Sequence, residues 1–408
     1  MTQSTWTVES LGEARQWGDP LAAGAVSAAF GLADDIELGT RRVADFMQML
    51  VREEGIPHGQ IPPLVKDFLE QAAEVPSWYR GEKLLEGEKL FMEHGLLSLA
   101  SLLHASLPEC YLMERGVHVL YLTQQLDAHV FRRLLETAQM VVTVMSPGGI
   151  REENGRLVGP GVKVALKVRL MHETMRHLIQ DASDATPNTP ALRLSEVMIK
   201  CPWQRQQWGA PINQEDMAYT LLTFGYVIPR SLVRLGVPLD KDAQEAIMHA
   251  WNVVGHVMGV HHSLMAHTLA DAEALYAMIQ KTQAAESDMA KGMTRSLVRV
   301  VRDQLPFFLQ WAPPVLIEHL CGPEAAKMLG VRNQSFWGRL FHGPALRLLR
   351  FVLKLEAVFF NSSKAGRWVL LHFGEHMVRL LARFPKGTRD RSFELPHDVA
   401  VAWGLARS

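Results

Sequence analysis

The sequence is poor in the features that define several large classes of protein. Its three cysteines form no CxxC pair and no spacing typical of a disulfide or zinc site, so we expect reduced, buried thiols. It has 42 basic and 43 acidic residues, a net charge of −1, and nothing global draws it to nucleic acid. The longest strongly apolar stretch, residues 95–107, is shorter than the roughly 18 residues of a membrane-spanning helix. The first residues lack a basic start followed by an apolar core, so we predict a cytoplasmic protein.

Strand-like alternation of polar and apolar residues is nearly absent, and helical spacing takes its place. Hydrophobic residues make up 48% of the chain and charged residues 21%, mixed along nearly all of its length as in packed amphipathic helices. The sequence therefore predicts an all-α fold, with a polar arm over residues 1–30, one large helical domain over 31–390 and a tail over 391–408. The first helix is expected to begin near Asp34, the Gly-rich segment 150–161 to form a loop, and Pro108 to break the helical run before it.

The most informative predicted helix spans residues 164–181, where apolar residues recur with the i, i+3, i+4 pattern of a buried helix. One stripe of this helix carries Arg169, His172 and Arg176, so an imidazole lies between two guanidiniums, each one turn away. That arrangement suits a haem, because imidazole is a common ligand of haem iron and arginines can neutralise the propionates. On spacing alone, a structural histidine hydrogen-bonded beside an arginine is the stronger interpretation.

A second candidate pair is Arg133 and Thr137, which lie one helical turn apart and face the same way. Beside a gas-binding iron, a guanidinium and a hydroxyl can donate hydrogen bonds to dioxygen and stabilise developing charge. The alternative is ordinary: an arginine in a surface ion pair, and a threonine bonded to its own helix. The residues alone favour this alternative.

Other metal sites are disfavoured by spacing. After His172 and Glu173 the next histidine is His177, five residues from the first instead of the four that zinc proteases require. The only Glu followed by a His three residues later is Glu394, in a proline-containing tail, which disfavours a di-iron carboxylate site. The five histidines between residues 249 and 267 are better explained by core packing and hydrogen bonds at helix ends.

Four longer segments occur in a fixed order, and together they are more specific than any single residue. They are FRRLLETAQMVVTVMSPGG, KVALKVRLMHETMRHL, GAPINQEDMAYTLLTFGYVIPRSLVRLGV and HAWNVVGHVMGV. Over roughly residues 95–277 the chain resembles the oxygenase MpaB / latex clearing protein family. The resemblance implies an all-helical fold with a globin-like haem-binding core and additional N- and C-terminal helices. It also implies one haem b and oxygen-dependent chemistry on apolar substrates.

Matched residue by residue, the resemblance places His172 at the axial haem ligand and Arg133 and Thr137 at the distal arginine and threonine. Rubber-cleaving members have a lysine directly before that threonine, where this chain has Glu136. They also have an acidic base on a nearby helix, where this chain has Val117 or Leu120. The resemblance therefore predicts a haem b oxygenase for an apolar isoprenoid or lipid-like substrate other than rubber. A haem-binding sensor, carrier or gas-binding protein without turnover is the alternative.

The segment from residue 332 to residue 391 is locally basic and interspersed with aromatic residues. Helices of this composition can lie on an anionic membrane, where a lipidic substrate would be found. A basic outer face over a packed apolar inner face explains the same pattern, and is the stronger interpretation. The oligomeric state is not predicted by any feature of the sequence.

Overall fold

A computed structural model describes residues 6–31, 62–126, 130–184, 203–305, 307 and 310–331, and most of them are helical. The elements up to residue 184 are α1 (Val8–Ala14), α2 (Pro20–Gly31), α3 (Pro63–Gln71), α4 (Gly81–Glu93), α5 (Gly95–Ser101), the π-helical turn π1 (Leu102–Ser106), α6 (Leu107–Tyr111), α7 (Val117–Leu126), α8 (Val130–Met145), β1 (Arg151–Glu153), β2 (Arg156–Val158) and α9 (Pro160–Asp184). The predicted all-α fold is confirmed. The helix predicted from Asp34, the basic segment 332–391 and the tail 391–408 lie outside the described residues, and the domain limits stay a prediction.

The second half of the described chain is also mostly helical. Its elements are α10 (Arg205–Trp208), α11 (Gln214–Leu222), the π-helical turn π2 (Thr223–Val227), α12 (Ile228–Leu235), α13 (Lys241–Val257), a 3-10 turn (His262–Leu264), α14 (Leu269–Gln283), α15 (Asp288–Asp303), α16 (Ala312–Cys321) and α17 (Pro323–Met328). Three of these helices start at a polar residue whose side chain caps the first turn. Asn213, Asp240 and Thr268 each accept a backbone N–H three residues on, at 2.8–3.1 Å.

Residues 6–31 are not the polar arm that the sequence predicts over residues 1–30. The side chain of Thr7 caps α1, and Leu11, Ala22 and Val26 of α1 and α2 are buried in the core. Helix α2 packs against α3 and α9. The prediction was wrong because α2 is built mainly of alanine and glycine, which leaves a weak helical pattern, yet small side chains let helices pack closely.

Residues 150–161, predicted to be a loop, contain a β-hairpin instead. Strands β1 and β2 pair antiparallel, with Arg151 opposite Val158. Asn154 and Gly155 connect them with φ values of 53° and 78°, the left-handed conformation that a tight two-residue hairpin turn needs. The Asn154-Gly155 pair is the sequence feature that indicates a hairpin. It was missed because the flanking strand residues are charged and exposed and lack the apolar alternation of a typical strand.

Two prolines lie inside continuous helical runs without ending them. Pro108, predicted to break its run, follows π1 and the helix continues to Tyr111; Pro229 follows π2 in the same way. A proline has no N–H to donate and clashes with the carbonyl four residues earlier. The wider π turn removes the need for that regular hydrogen bond. Since π1 and π2 contact each other, both irregular turns lie together inside the fold.

No single helix in the described part of the chain is long and apolar enough to cross a membrane. One pair of helical runs, Gly81–Glu93 and Gly95–Tyr111, satisfies the length and composition criteria only when taken together. The two runs are bent by 85° where they meet.

Candidate active site

Helices α6, α8, α9, α11, α13 and α15 surround a cavity of about 290 Å³, at the low end of the roughly 300–1,000 Å³ of small-molecule sites. Its wall is mostly apolar and includes five methionines: Met140, Met171, Met217, Met258 and Met293. Methionine is flexible and polarisable, so it adapts to apolar groups of different shape. Three of the residues predicted from the sequence line this cavity: Arg133, Thr137 and His172.

His172 is half-buried in the cavity wall, and its neighbours on α9, Val168 and Met171, line the cavity beside it. Its Nδ1 atom is buried without a hydrogen-bond partner. Burial lowers the pKa of His172 to about 3, the Arg176 guanidinium lowers it too, and Asp19 partly offsets them. The imidazole is therefore neutral at ordinary pH, and its lone pair is available to a metal.

Arg133 and Thr137 lie one turn apart on α8 and face the cavity, as their spacing predicts. The half-buried guanidinium of Arg133 forms no ion pair with any described residue. Thr137 differs, because its hydroxyl donates a hydrogen bond to the Arg133 carbonyl at 2.9 Å. Its proton is used within its own helix, which is the ordinary alternative for this residue, and only its oxygen lone pairs are left for the cavity.

The structure does not bring Arg169 to the cavity. Its guanidinium forms a two-point ion pair with Asp19, at 2.6 and 2.9 Å, and donates to the Val257 carbonyl at 3.2 Å. Gly259 lies against this pair with a φ of +83°, and a Cβ built there would be 2.5 Å from Arg169 Nε. The role of Arg169 in this arrangement is to hold α9 against the N-terminal segment and the end of α13.

Arg176 also lies outside the cavity wall. It donates two hydrogen bonds to the Ile212 carbonyl, at 2.7 and 3.0 Å, and forms a buried ion pair with Glu173. The propionate role predicted for Arg169 and Arg176 therefore stays a prediction, and their donors are engaged by acceptors of the protein itself. Arg169, His172 and Arg176 do lie on one helix at the predicted spacing. The two arginine side chains, however, bond to Asp19 and to the Ile212 carbonyl and do not line the cavity.

Sequence reasoning missed the polar residues that α6 and α11 place in the cavity wall: Cys110, Tyr111 and Thr220. Burial raises the pKa of Cys110 to about 12, and its sulfur lies 3.3 Å from the Thr223 hydroxyl. The thiol is therefore neutral, which disfavours it as a thiolate ligand of iron. The sequence predicted that the helical run ends at Pro108, so Cys110 and Tyr111 were not placed on the same run as the residues before the proline. In the structure the run continues through both residues.

Of the histidines between residues 249 and 267, His249 and His256 pack in the protein and contact backbone carbonyls as predicted, whereas His261, His262 and His267 are exposed. Rings of His249, His256 and His267 surround the indole of Trp78 at centroid distances of 5.7, 6.1 and 5.0 Å. His256 Nε2 lies 2.9 Å from the Glu74 carbonyl. Within the described residues, no group of three or more His, Cys, Asp or Glu side chains is placed to hold a metal ion.

The fold and the cavity together define an all-helical protein whose apolar internal site contains a neutral histidine and an arginine that no described residue pairs with. The chain belongs to the family described as ER-bound oxygenase mpaB/B'/Rubber oxygenase, catalytic domain, whose model matches residues 95–353. This confirms the resemblance found in the four ordered segments.

Two comparisons with individual proteins agree with this family. The chain is 22% identical to the rubber oxygenase of Streptomyces sp. (strain K30) over 296 residues, which are 71% of this chain and 65% of that relative. It thus spans about 65% of the length of that relative. A solved structure of latex clearing protein in the closed state has the same fold, with a TM-score of 0.66 and 18% identity over 94% of each chain.

Proposed function

We propose that this protein is a haem b oxygenase that directs dioxygen to an apolar, unsaturated substrate of isoprenoid or lipid-like character. The observation that carries the proposal is that one apolar cavity holds the neutral imidazole of His172 and the guanidinium of Arg133, neither of which has a partner among the described residues. Membership of an oxygenase family supports the proposed reaction class.

The residues present fit a haem. In the described residues no cluster of side chains is placed to ligate a metal by itself, so a metal here has to bring most of its own ligands. Haem does this and needs one strong protein ligand, which His172 can supply. Of its two ring nitrogens, Nε2 forms no hydrogen bond with any described residue and is not among the fully buried polar atoms, so Nε2 is the atom that would bind the iron.

Bound in this cavity, haem b would supply the redox chemistry that activates dioxygen. The protein's own contribution is electrostatic and steric. Arg133 presents N–H donors to a region with apolar walls, where a fixed positive charge interacts more strongly than in water. The methionine and leucine side chains exclude water and accept an apolar substrate.

The substrate proposal rests on two departures from the rubber-cleaving pattern. Glu136 stands where those members have lysine, and Leu120, in the region where they have an acidic base, lines the cavity with an apolar side chain. Val117, the other position considered for the acid, is fully buried. We therefore propose a substrate other than rubber.

The test is turnover under ¹⁸O₂. Haem-loaded protein is incubated with a reductant and a panel of terpenes, unsaturated fatty acids and polyisoprene, and the products are analysed by mass spectrometry. The proposal expects ¹⁸O in the product of an unsaturated small molecule and none from polyisoprene, with His172→Ala inactive. A haem-loaded protein that binds dioxygen reversibly but oxidises none of these compounds would instead be a sensor or carrier, and would contradict the proposal.

A further inference from the structure

Three hydroxyl groups belong to the side chains of the cavity wall, and they differ in where their protons go. The Thr137 hydroxyl donates to the Arg133 carbonyl. The Thr220 hydroxyl forms no hydrogen bond of normal geometry with any described residue, and its residue is exposed. The third, on Tyr111, forms no hydrogen bond with any described residue, and it is not among the fully buried polar atoms. The Tyr111 and Thr220 hydroxyls therefore each have a proton free for a ligand in the cavity, and Tyr111 is the one on which the Arg133 charge acts.

The surroundings of Tyr111 fix both its position and its protonation state. Its residue is 7% exposed, which leaves the ring anchored in the core beside π1 while part of it reaches the cavity. Burial raises the pKa of Tyr111, and the Arg133 guanidinium is near enough to lower it in part. The phenol therefore stays protonated at ordinary pH and lies within electrostatic reach of the unpaired arginine.

We propose that the Tyr111 hydroxyl is a second hydrogen-bond donor to the oxygen-containing ligand held in this cavity, acting beside Arg133. The inference deepens the proposed function and rests on it. It gives the site a neutral donor next to a charged one, in place of the Thr137 hydroxyl that the sequence suggested. Removing one preorganised donor of this kind from an active site costs a factor of about 100–1,000 in turnover in well-studied cases.

Trp251 is a rival donor, because its indole Nε1 also lacks a hydrogen-bond partner and its residue lines the cavity. That nitrogen is fully buried, and the indole packs between Phe91 and Phe224 at centroid distances of 6.1 and 4.6 Å. A nitrogen without accessible surface does not reach a ligand in the cavity space. The geometry thus favours Tyr111 over Trp251.

The test uses a probe that reports hydrogen bonding directly. The haem-loaded protein is reduced, carbon monoxide is added, and the C–O stretching frequency is measured by infrared spectroscopy. A donor near the oxygen atom lowers this frequency. Tyr111→Phe removes only the hydroxyl, and we expect it to shift the band to higher frequency with an unchanged Soret intensity. The control Tyr121→Phe removes a hydroxyl from a half-buried tyrosine outside the cavity wall, and the band should not move.

Each other outcome is decisive. An unchanged C–O band in Tyr111→Phe with normal haem content overturns the role of Tyr111 and leaves the proposed function intact. A shift in Trp251→Phe or in Thr220→Val but not in Tyr111→Phe assigns the donor to the indole or to the Thr220 hydroxyl and overturns the proposal in the same way. Wild-type protein that takes up no haem overturns both the proposed function and this inference.

Discussion

Asp19 and Arg169 form a buried two-point ion pair between positions 150 residues apart in the chain. It ties the segment before α2 to α9, the helix that carries His172. Both side chains are less than 10% exposed, so neither charge is compensated by water if its partner is lost. The N-terminal segment from residue 6 to residue 31 is therefore part of the structure that positions the candidate haem ligand.

Asp19→Asn should destabilise the protein by about 3–5 kcal/mol, because it leaves the Arg169 guanidinium buried without its counter-charge. Urea unfolding followed by circular dichroism measures the effect. The double variant Asp19→Asn/Arg169→Met should lose less, since it removes the unpaired charge. The exposed Glu9, on α1 nearby, gives the control Glu9→Gln. A loss below about 1 kcal/mol in Asp19→Asn would show that the pair is solvated and not buried.

Gly259→Ala should be more destabilising than Gly236→Ala. Both glycines have positive φ, +83° and +101°, so both substitutions carry the same kind of backbone strain. Only at Gly259 does a new Cβ meet the Asp19–Arg169 pair, at 2.5 Å, whereas Gly236 has no atom within 4 Å. Comparison of the two midpoints of urea unfolding isolates the crowding of the ion pair. Equal losses would contradict the close approach at Gly259.

Arg133→Met should leave haem bound but weaken the affinity of the reduced protein for dioxygen. The substitution keeps a long side chain in the cavity wall while it removes the only unpaired guanidinium found there among the described residues. Stopped-flow dissociation of dioxygen measures the effect, and we expect at least a tenfold faster loss, about 1.4 kcal/mol. Arg295→Met, on the exposed face of α15, is the matched control. Identical dissociation rates in both variants would remove Arg133 from the site.

The contribution of Glu88 to stability should fall as pH rises from 4.5 to about 7. Glu88 is 1% exposed and accepts the Gly148 N–H at 2.9 Å, and burial raises its pKa from 4.5 to about 7. Between these values the folded protein holds a proton that the unfolded chain has released, so raising the pH favours unfolding. Glu88→Gln should remove this contribution, so that stability rises more steeply or falls less steeply with pH than in the wild type, and the exposed Glu86→Gln should leave the slope unchanged. A Glu88→Gln profile with the wild-type slope would contradict the assignment.

The sequence predicted the parts of the site that depend on local order. Helix starts at Asn213 and Asp240 follow from capping chemistry, and the ordered segments brought His172, Arg133 and Thr137 to one cavity. Helical spacing shows which residues share a stripe. It cannot show where the hydrogen-bond acceptors lie, and so it predicted a donor role for Thr137 whose proton is already used.

The rest of the site depends on contacts between distant segments. The sequence suggested that Arg169 neutralises a haem propionate, whereas its partner in the structure is Asp19. Asp19 could not be recognised as that partner, because the helical pattern of its segment is weak. Tyr111 was missed because a proline inside a helix reads as a break, whereas the π turn before Pro108 lets the helix continue. Both errors come from tertiary packing that overrides a local signal.

The central claim, that His172 holds a haem in this cavity, is tested most directly by absorption spectroscopy after expression with added haem precursor. Wild-type protein should show a Soret band, His172→Ala should lose most of it, and His177→Ala, on the same helix but outside the cavity wall, should keep it. Circular dichroism of the three proteins checks that all are folded. A folded His172→Ala variant with the haem content and ferric spectrum of the wild type would contradict the account.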